Sequence, residues 1–297
     1  MEHPLVSIIS IHFNVEQETI EFIESCQQLS YPNLEVIIVD NGSNKPFKPN
    51  LKYDQIQLIR SEENLGFAGG NNLGLKESKG EYIFFLNNDT LLPVDFVEPI
   101  VSFLKEHPKA GALSPKVLYS DRKTIQYAGS GSISNYTGRG QRVGKMQIDQ
   151  GQFDYSCETE LGHGSSFIVP RKVINDVGPM PEVYFLYYEE HDWCEQIKAK
   201  GYKIYYLGTS HIIHKESMTT GKESVLKTYY MARNRILYLR RNSYGLEYTL
   251  GILFLTLISV PKNTLIYLLK GKIDLCKAYI KGVLWHLDRL KLIENLK

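Results

Sequence analysis

Cysteine is scarce in this chain. Its four residues, Cys26, Cys157, Cys194 and Cys276, lie far apart and form no C-x-x-C pair. Such spacing supports neither a zinc site nor a disulfide framework, and a reducing cytoplasm is the expected setting. No G-x-G-x-x-G follows the first apolar segment and no G-x-x-x-x-G-K-[ST] occurs anywhere, which removes most support for a dehydrogenase or a P-loop enzyme. From Met1 the chain passes through His3 and Pro4 straight into an apolar segment, without the basic stretch and cleavage site of an export signal. Net charge is also small: 34 Lys and Arg against 33 Asp and Glu leave +1, with no long basic run in the first 240 residues, so a general nucleic-acid binder is not expected. That near-zero is a cancellation, because residues 241–297 hold nine cations and four acids and leave residues 1–240 at −4. With 297 residues, 43% of them hydrophobic, the chain can bury a large core without staples.

Apolar periodicity sets out an alternation of strands and helices. Leu5–Phe13 is apolar and β-branched, and Glu18–Leu29 places Ile20, Phe22, Ile23, Cys26 and Leu29 at roughly helical spacing. Leu34–Val39 is a short continuous apolar run closed by Asp40-Asn41-Gly42-Ser43, as suits a strand buried on both faces. A third strand is predicted at Ile56–Arg60, a helix at Gly69–Ser78, and a fourth strand at Tyr82–Leu86 ahead of Asn87-Asn88-Asp89. Pro93–His107 reads as a helix, Ser114–Gly164 as loop-rich with hairpins, Glu189–Lys200 as a helix stopped by Gly201, and Tyr202–Leu207 as a strand. Alternation of this kind implies an α/β fold with a mostly parallel sheet, whose ligands bind beyond the carboxyl ends of the strands.

Polar residues at those ends carry the functional weight. Asp40 is placed to accept hydrogen bonds from a nucleobase or ribose, or else to close an Asp-Asn-Gly turn. The glycines within residues 64–74 let the backbone approach a ligand ahead of exposed helix N–H groups, and the paired Asn71 and Asn72 favour a polar one. Asp89 can hold a divalent cation that bridges diphosphate oxygens, given a second protein ligand, or can cap the next segment. Glu189, Glu190 and Asp192 crowd one helix N-terminus. The helix dipole accounts for one acid there, whereas crowding raises carboxylate pKa values toward those of a general base. His214, three residues after His211 and next to a Ser/Thr/Gly-rich loop, is the candidate second metal ligand.

In this order and spacing, VIIVDNGS (36–43), NLGFAGGNN (64–72), FLNNDT (85–90), the segment from Gly164 to Cys194, and the later HKES (214–217) and RNR (233–235) resemble the family 2 inverting glycosyltransferases of the GT-A fold, in their bacterial rhamnosyltransferase-like branch. The resemblance covers residues 5 to about 240. It implies a GT-A catalytic domain over 1–240, with 1–115 binding nucleotide and 116–240 binding acceptor, and a C-terminal helical segment over 241–297. By resemblance Asp40 binds the base, and Asn14, Asn41, Asn64, Gly66, Gly70, Asn71 and Asn88 complete the donor site. The family's Asp-x-Asp metal motif falls on Asn87-Asn88-Asp89, so only Asp89 keeps a carboxylate, with His214 as its partner for Mg2+ or Mn2+. Glu190, or Glu189 beside it, takes the proton of the acceptor hydroxyl, and Asp192 completes the acidic group.

The implied reaction moves a sugar from a nucleotide-diphosphate donor, dTDP-rhamnose first and UDP-sugars next, to a glycan or lipid-linked acceptor in cell-surface polysaccharide synthesis. A rival reading, a sugar-phosphate nucleotidyltransferase, expects a basic Gly-rich phosphate loop where Ile11-His12-Phe13-Asn14 stand. A third, a non-catalytic nucleotide-sugar-binding protein, has no use for the three retained acids.

Tyr248–Leu269 is almost wholly apolar but interrupted at Pro261-Lys262-Asn263, which predicts an interfacial hairpin or helix pair in place of a spanning helix. Lys270, Lys272, Lys277, Lys281, Arg289 and Lys291 would then face anionic headgroups with Trp285 at the interface, making a cytoplasmic enzyme peripheral on the inner face of the membrane. The alternative is a helical subdomain packed on the catalytic domain or on a second copy of the chain.

Overall fold

In the computed structural model, residues 3–49, 56–134, 136–215 and 223–288 are described. The first part alternates as expected: β1 (Val6–His12), α1 (Glu16–Gln27), β2 (Leu34–Asn41), β3 (Ile56–Ser61), α2 (Gly66–Glu77) and β4 (Tyr82–Leu86). Then come β5 (Thr90–Leu91), α3 (Val97–Glu106), β6 (Ala110–Leu118), β7 (Ile125–Tyr127), β8 (Ser156–Thr159), β9 (Ser166–Pro170) and α4 (Arg171–Val177). α5 (Glu189–Ala199), β10 (Lys203–His214) and α6 (Val225–Asn242) lead into α7 (Gly245–Phe254), α8 (Val260–Leu269) and α9 (Ile273–Asp288).

One sheet holds the strands in the order β3-β2-β1-β4-β9-β6-β10-β5, with β7 on β6 and β8 on β10. β3, β2, β1 and β4 are parallel, as are β6 and β10, while β9 runs between β4 and β6 in the opposite sense. The continuous apolar runs are explained by burial on both faces. Val36 and Ile38 of β2 enter a core with Phe22 of α1 and Ile100 of α3, and Ile37 and Val39 enter a second core with Ala68 of α2 and Trp193 of α5.

Two strands differ from the sequence expectation. Residues 114–118, expected in loop, belong to β6, which is buried along its whole length. Gly111 and Pro115 hide it: proline cannot donate to a ladder and usually marks an edge, but β6 meets β9 at a single pair, Leu113 with Ile168. β10 runs seven residues beyond Leu207, because an irregularity between Leu207 and His211 absorbs Gly208 without ending the pairing to β6. A side chain at Gly208 would stand 1.9 Å from the Phe153 carbonyl oxygen, so only glycine fits that step.

The C-terminal expectation needs a larger correction. The chain does not break at Pro261: α7, a π-helical stretch over Leu255–Ser259 and α8 continue as one helix, Gly245–Leu269, long and apolar enough to cross a membrane, with a mean hydropathy of 1.7. Pro261 lies in the first turn of α8, where the preceding wide turn has already interrupted the ordinary i to i−4 bonding. The hairpin forms one step later, at Lys270-Gly271-Lys272, and returns α9 along α6. Trp285, half-exposed on α9, packs under the Arg233 guanidinium of α6, 4.8 Å from its ring centre. Arg289 and Lys291 lie outside the described residues.

Trp193 seals the second core between Phe85 and Phe167, fully buried, with its indole N–H donating to the Gly178 carbonyl at 3.1 Å. Trp193→Ala should cost about 3–5 kcal/mol of stability, read as a lower urea midpoint with an unchanged slope.

Candidate active site

The carboxyl ends of β1, β2 and β4 border a cavity of about 520 Å3. One wall includes Asn41, Asn64, Gly66, Asn71 and Asn88. Asn41 and Asn64 shape the turn into α2. The Asn41 amide donates to the Gly66 carbonyl at 2.9 Å and to Asn64 Oδ1 at 3.2 Å, while its oxygen accepts the Leu65 N–H at 3.0 Å. Asn71 differs, because its Nδ2 is buried without a partner. An unpaired buried donor costs about 1–3 kcal/mol, a cost relieved when a ligand or a water in the cavity accepts the bond. Asn88 donates to Thr19 Oγ1 at 2.8 Å and so holds the loop after β4 against α1.

Four expected site residues do not line the cavity. Asp40 accepts the N–H groups of Ser43 at 3.1 Å and Phe47 at 3.0 Å and pairs with Arg60. Burial alone would push its carboxyl up, but the Phe47 and Ser43 bonds together with Arg60 hold it below the ordinary range. Donors from its own loop and from β3 thus engage Asp40, as the turn-closing alternative expects. Asn14 joins the same loop, accepting the Asn44 N–H at 2.9 Å and donating its own N–H to Ser43 Oγ at 3.0 Å. Gly70 is a packing residue: a Cβ there would lie 2.9 Å from Ile11 Cδ1 and 3.1 Å from Asn41 Nδ2. Asp192 faces the end of α6, where it accepts from Asn242 at 2.6 Å and Arg241 at 3.1 Å.

Asp89 and His214 are brought together by the two-residue strand β5. It pairs antiparallel with β10 so that Thr90 stands across from His214 and Leu91 across from Ile213, and Lys215 N–H bonds the Asp89 carbonyl at 2.9 Å. His214 Nδ1 donates to Gln126 Oε1 at 2.7 Å, which leaves the Nε2 lone pair 3.2 Å from Asp89 Oδ1. Both Asp89 oxygens are buried without a hydrogen-bond donor, as is Asn87 Oδ1. Asn87 also turns its Nδ2 toward His214 Nε2 at 3.5 Å, so the unpartnered acceptors here are the two Asp89 oxygens and Asn87 Oδ1, a set that fits a cation. Among the described residues no third His, Cys, Asp or Glu joins this pair. The loop over residues 216–222, expected to fold over a phosphate, lies outside the described residues.

Glu189 and Glu190 enter the cavity from the start of α5, behind a backbone that few sequences adopt. Phe185, Tyr187 and Tyr188 all have positive φ, at 65°, 70° and 77°. Each such residue costs on the order of 1 kcal/mol or more. Two buried residues of α6 hold the loop. The Asn234 amide donates to the carbonyls of Tyr184 at 3.0 Å, Leu186 at 2.7 Å and Tyr187 at 2.8 Å, and Arg233 donates to those of Val183 at 2.5 Å and Tyr184 at 2.8 Å. On its other side the loop meets α2, where Phe67 N–H donates to the Phe185 carbonyl at 2.6 Å. At Gly66, with φ of 76°, a Cβ would fall 2.3 Å from that carbonyl oxygen, so glycine is needed at this approach.

The two glutamates differ in environment. Glu189 is 3% exposed, and burial, then the charge of Glu190, push its carboxyl well above the ordinary glutamate range. Glu190 is half-buried beside Gly164, with Oε2 unpartnered. Sequence reasoning did not single out Gln126, which orients His214, or His163, Arg142 and Lys145, which also line the cavity. All four lie in the stretch whose irregular composition gives no periodic signal.

The model of the family described as Glycosyl transferase family 2 matches residues 7–178. The dTDP-rhamnosyl transferase RfbF of Shigella flexneri is 25% identical over 269 residues, spanning 86% of this chain and 87% of its own length. Among solved structures, GalNAc-T7 with UDP, GalNAc and Mn2+ superposes with a TM-score of 0.60 at 14% identity, covering 84% of this chain and 54% of that one, so the chain spans about half of it. The mannosyltransferase PcManGT from Pyrobaculum calidifontis in complex with GDP-Man and Mn2+ superposes with a TM-score of 0.58 at 16% identity, covering 96% and 81%. The architecture is thus the GT-A fold, and the enzyme is a glycosyltransferase. The chain belongs to glycosyl transferase family 2, which sets the nucleotidyltransferase reading aside.

A buried glutamate with a raised pKa keeps its proton in the folded chain at pH values where the unfolded chain has released it. Stability contributed by that site therefore falls as pH rises above the ordinary glutamate range. Glu189→Gln should stabilise the protein relative to the parent at about pH 8 and much less at about pH 5. Thermal melts showing an equal shift at both pH values would contradict this.

Proposed function

We propose that the protein transfers a sugar, with inversion, from a nucleoside-diphosphate donor to an acceptor hydroxyl. The observation that carries this reading is one cavity holding both the Glu189–Glu190 pair and the converging acceptors of Asp89 and His214. Asp89 and His214 would hold Mg2+ or Mn2+, which when bound would neutralise charge on the departing diphosphate. Asn71 offers its free amide to the donor, within a wall braced by Asn41 and Asn64. Glu189 is buried whereas Glu190 is only half-buried on the cavity wall, so Glu190 takes the acceptor proton. The acceptor oxygen forms its bond to the anomeric carbon as the bond from that carbon to the diphosphate breaks on the opposite face. Residues 1–115 then serve mainly the donor and residues 116–240 the acceptor.

Similarity to RfbF favours dTDP-rhamnose as donor, with UDP-sugars next, and a glycan or lipid-linked acceptor of a cell-surface polysaccharide. Glu190→Gln should abolish transfer while leaving donor affinity within a few fold, and near-parental turnover would sink the assignment. Asp89→Ala should remove the metal-dependent part of nucleoside-diphosphate binding in calorimetry.

We further read the protein as cytoplasmic and peripheral on the inner membrane face through the Gly245–Leu269 helix, which is only 11% buried over its most apolar window. Leu253 is 46% and Leu257 is 70% exposed. The full chain should float with phosphatidylglycerol vesicles, and Leu253→Glu with Leu257→Glu should abolish flotation. If the double variant instead turns a dimer into a monomer without affecting flotation, the helix serves a second copy of the chain.

A further inference from the structure

Residues 122–145 contain five cations, Arg122, Lys123, Arg139, Arg142 and Lys145, and no acid, whereas the rest of residues 1–240 contains twenty cations against twenty-nine acids. This acid-free segment folds as an irregular hairpin. Its backbone is fixed by the Ala128 N–H to Val143 carbonyl bond at 3.1 Å, by the Val143 N–H to Gly129 carbonyl bond at 2.9 Å, and by an isolated bridge between Ser130 and Arg142. The tip is tied to the acid-bearing loop and to α6: Tyr188 Oη donates to the Gly138 carbonyl at 2.8 Å and Arg235 Nε to that of Thr137 at 2.5 Å. Between Arg142 and Lys145 the chain turns at Gly144, where φ is 71° and a Cβ would lie 3.0 Å from that of Ala128.

Both Arg142 and Lys145 line the cavity that holds Glu190. Neither has an ion-pair partner among the described residues, although Lys116 nearby in sequence takes Asp149, at 2.8 Å, and Asp154. Burial lowers the His191 imidazole, Glu190 opposes that and Arg142 adds to it, so both Glu190 and the Arg142 guanidinium lie within electrostatic reach of His191. A neutral saccharide is recognised by amides, hydroxyls and aromatic faces. Glu18, Asp89, Glu189 and Glu190 line other parts of this cavity, whereas the charges on the hairpin wall are those of Arg142 and Lys145, and a guanidinium matches the paired oxygens of phosphate or carboxylate.

We propose that Arg142 and Lys145 bind an anionic group of the acceptor, a phosphate or a carboxylate, and so hold its hydroxyl at Glu190. The proposal rests on the glycosyl-transfer reading for the word acceptor. The anion site itself stands on the hairpin alone.

Calorimetry on the full chain, with and without nucleoside diphosphate and Mn2+, tests it with hexyl phosphate for a phosphate-bearing acceptor, a glucuronate disaccharide for a carboxylate-bearing one, and hexyl glucoside as the neutral control. At least one anion should bind more tightly than the control and weaken about tenfold on raising salt and in Arg142→Ala with Lys145→Ala. Affinity for the nucleoside diphosphate should stay within about twofold. Both side chains are exposed, so the variant should melt with the parent. Absence of anion binding, equal binding by the variant, or a loss of nucleoside-diphosphate affinity in the variant would each overturn the proposal, the last by giving the cations to the donor. Anion binding by a chain that binds no nucleoside diphosphate would leave this site standing and remove the glycosyl-transfer reading.

Discussion

Asn234 supplies the contact on which the site depends. Its buried amide gathers three carbonyls of an irregular loop, and that loop delivers Glu189 and Glu190 to the cavity. Three left-handed residues in four positions would relax to something else if free, because each pays a steric penalty that local bonding does not return. The neighbouring Arg233 extends the hold to Val183 and, through Trp285 and a 2.7 Å contact from its carbonyl to His286, anchors α6 to α9. The apolar C-terminal hairpin is thereby linked mechanically to the acids. What packs on α9 and what happens at Glu190 are separated by one helix.

The metal-like pair is assembled by a different route. Asp89 and His214 are 125 residues apart, and the shortest strand in the sheet joins them. β5 uses antiparallel register to set Thr90 against His214, while Gln126 fixes the imidazole by its other nitrogen. The result is an arrangement of acceptors that is costly when empty of positive charge and comfortable when filled. Burial, with the charge of Glu190 beside it, lifts the Glu189 carboxyl, while Glu190 itself stays half-buried on the cavity wall.

Much of the donor half was legible because its physics is local. Apolar runs in β1, β2 and β4 end at polar residues, and strand ends are where such sheets bind ligands. The misreadings share a cause, which is that side-chain direction is a tertiary property. Asp40 and Asp192 sit in the expected places, but each is turned toward a partner, Arg60 in one case and the end of α6 in the other. Gly70 was read for ligand approach and serves helix-to-strand packing. β6 escaped notice because Gly111 and Pro115 are poor strand formers that a one-pair contact with β9 tolerates. The Arg233-Asn234-Arg235 motif was visible, but its target was not, since nothing in Tyr-Phe-Leu-Tyr-Tyr announces left-handed backbone.

The basic hairpin is rooted in the sheet by β7 on β6 and by Ser130 with Thr159, closed by backbone pairs within itself, and tied at its tip by Tyr188 and Arg235. Its outward side chains therefore contribute little to the alignment of Glu190, Asp89 and His214. Mutation can rewrite that surface while the bond-making groups stay in register, with Gln126 at its root as the exception. A change on that wall of the cavity and a change at Asp89, His214 or Glu190 are therefore separable by mutation.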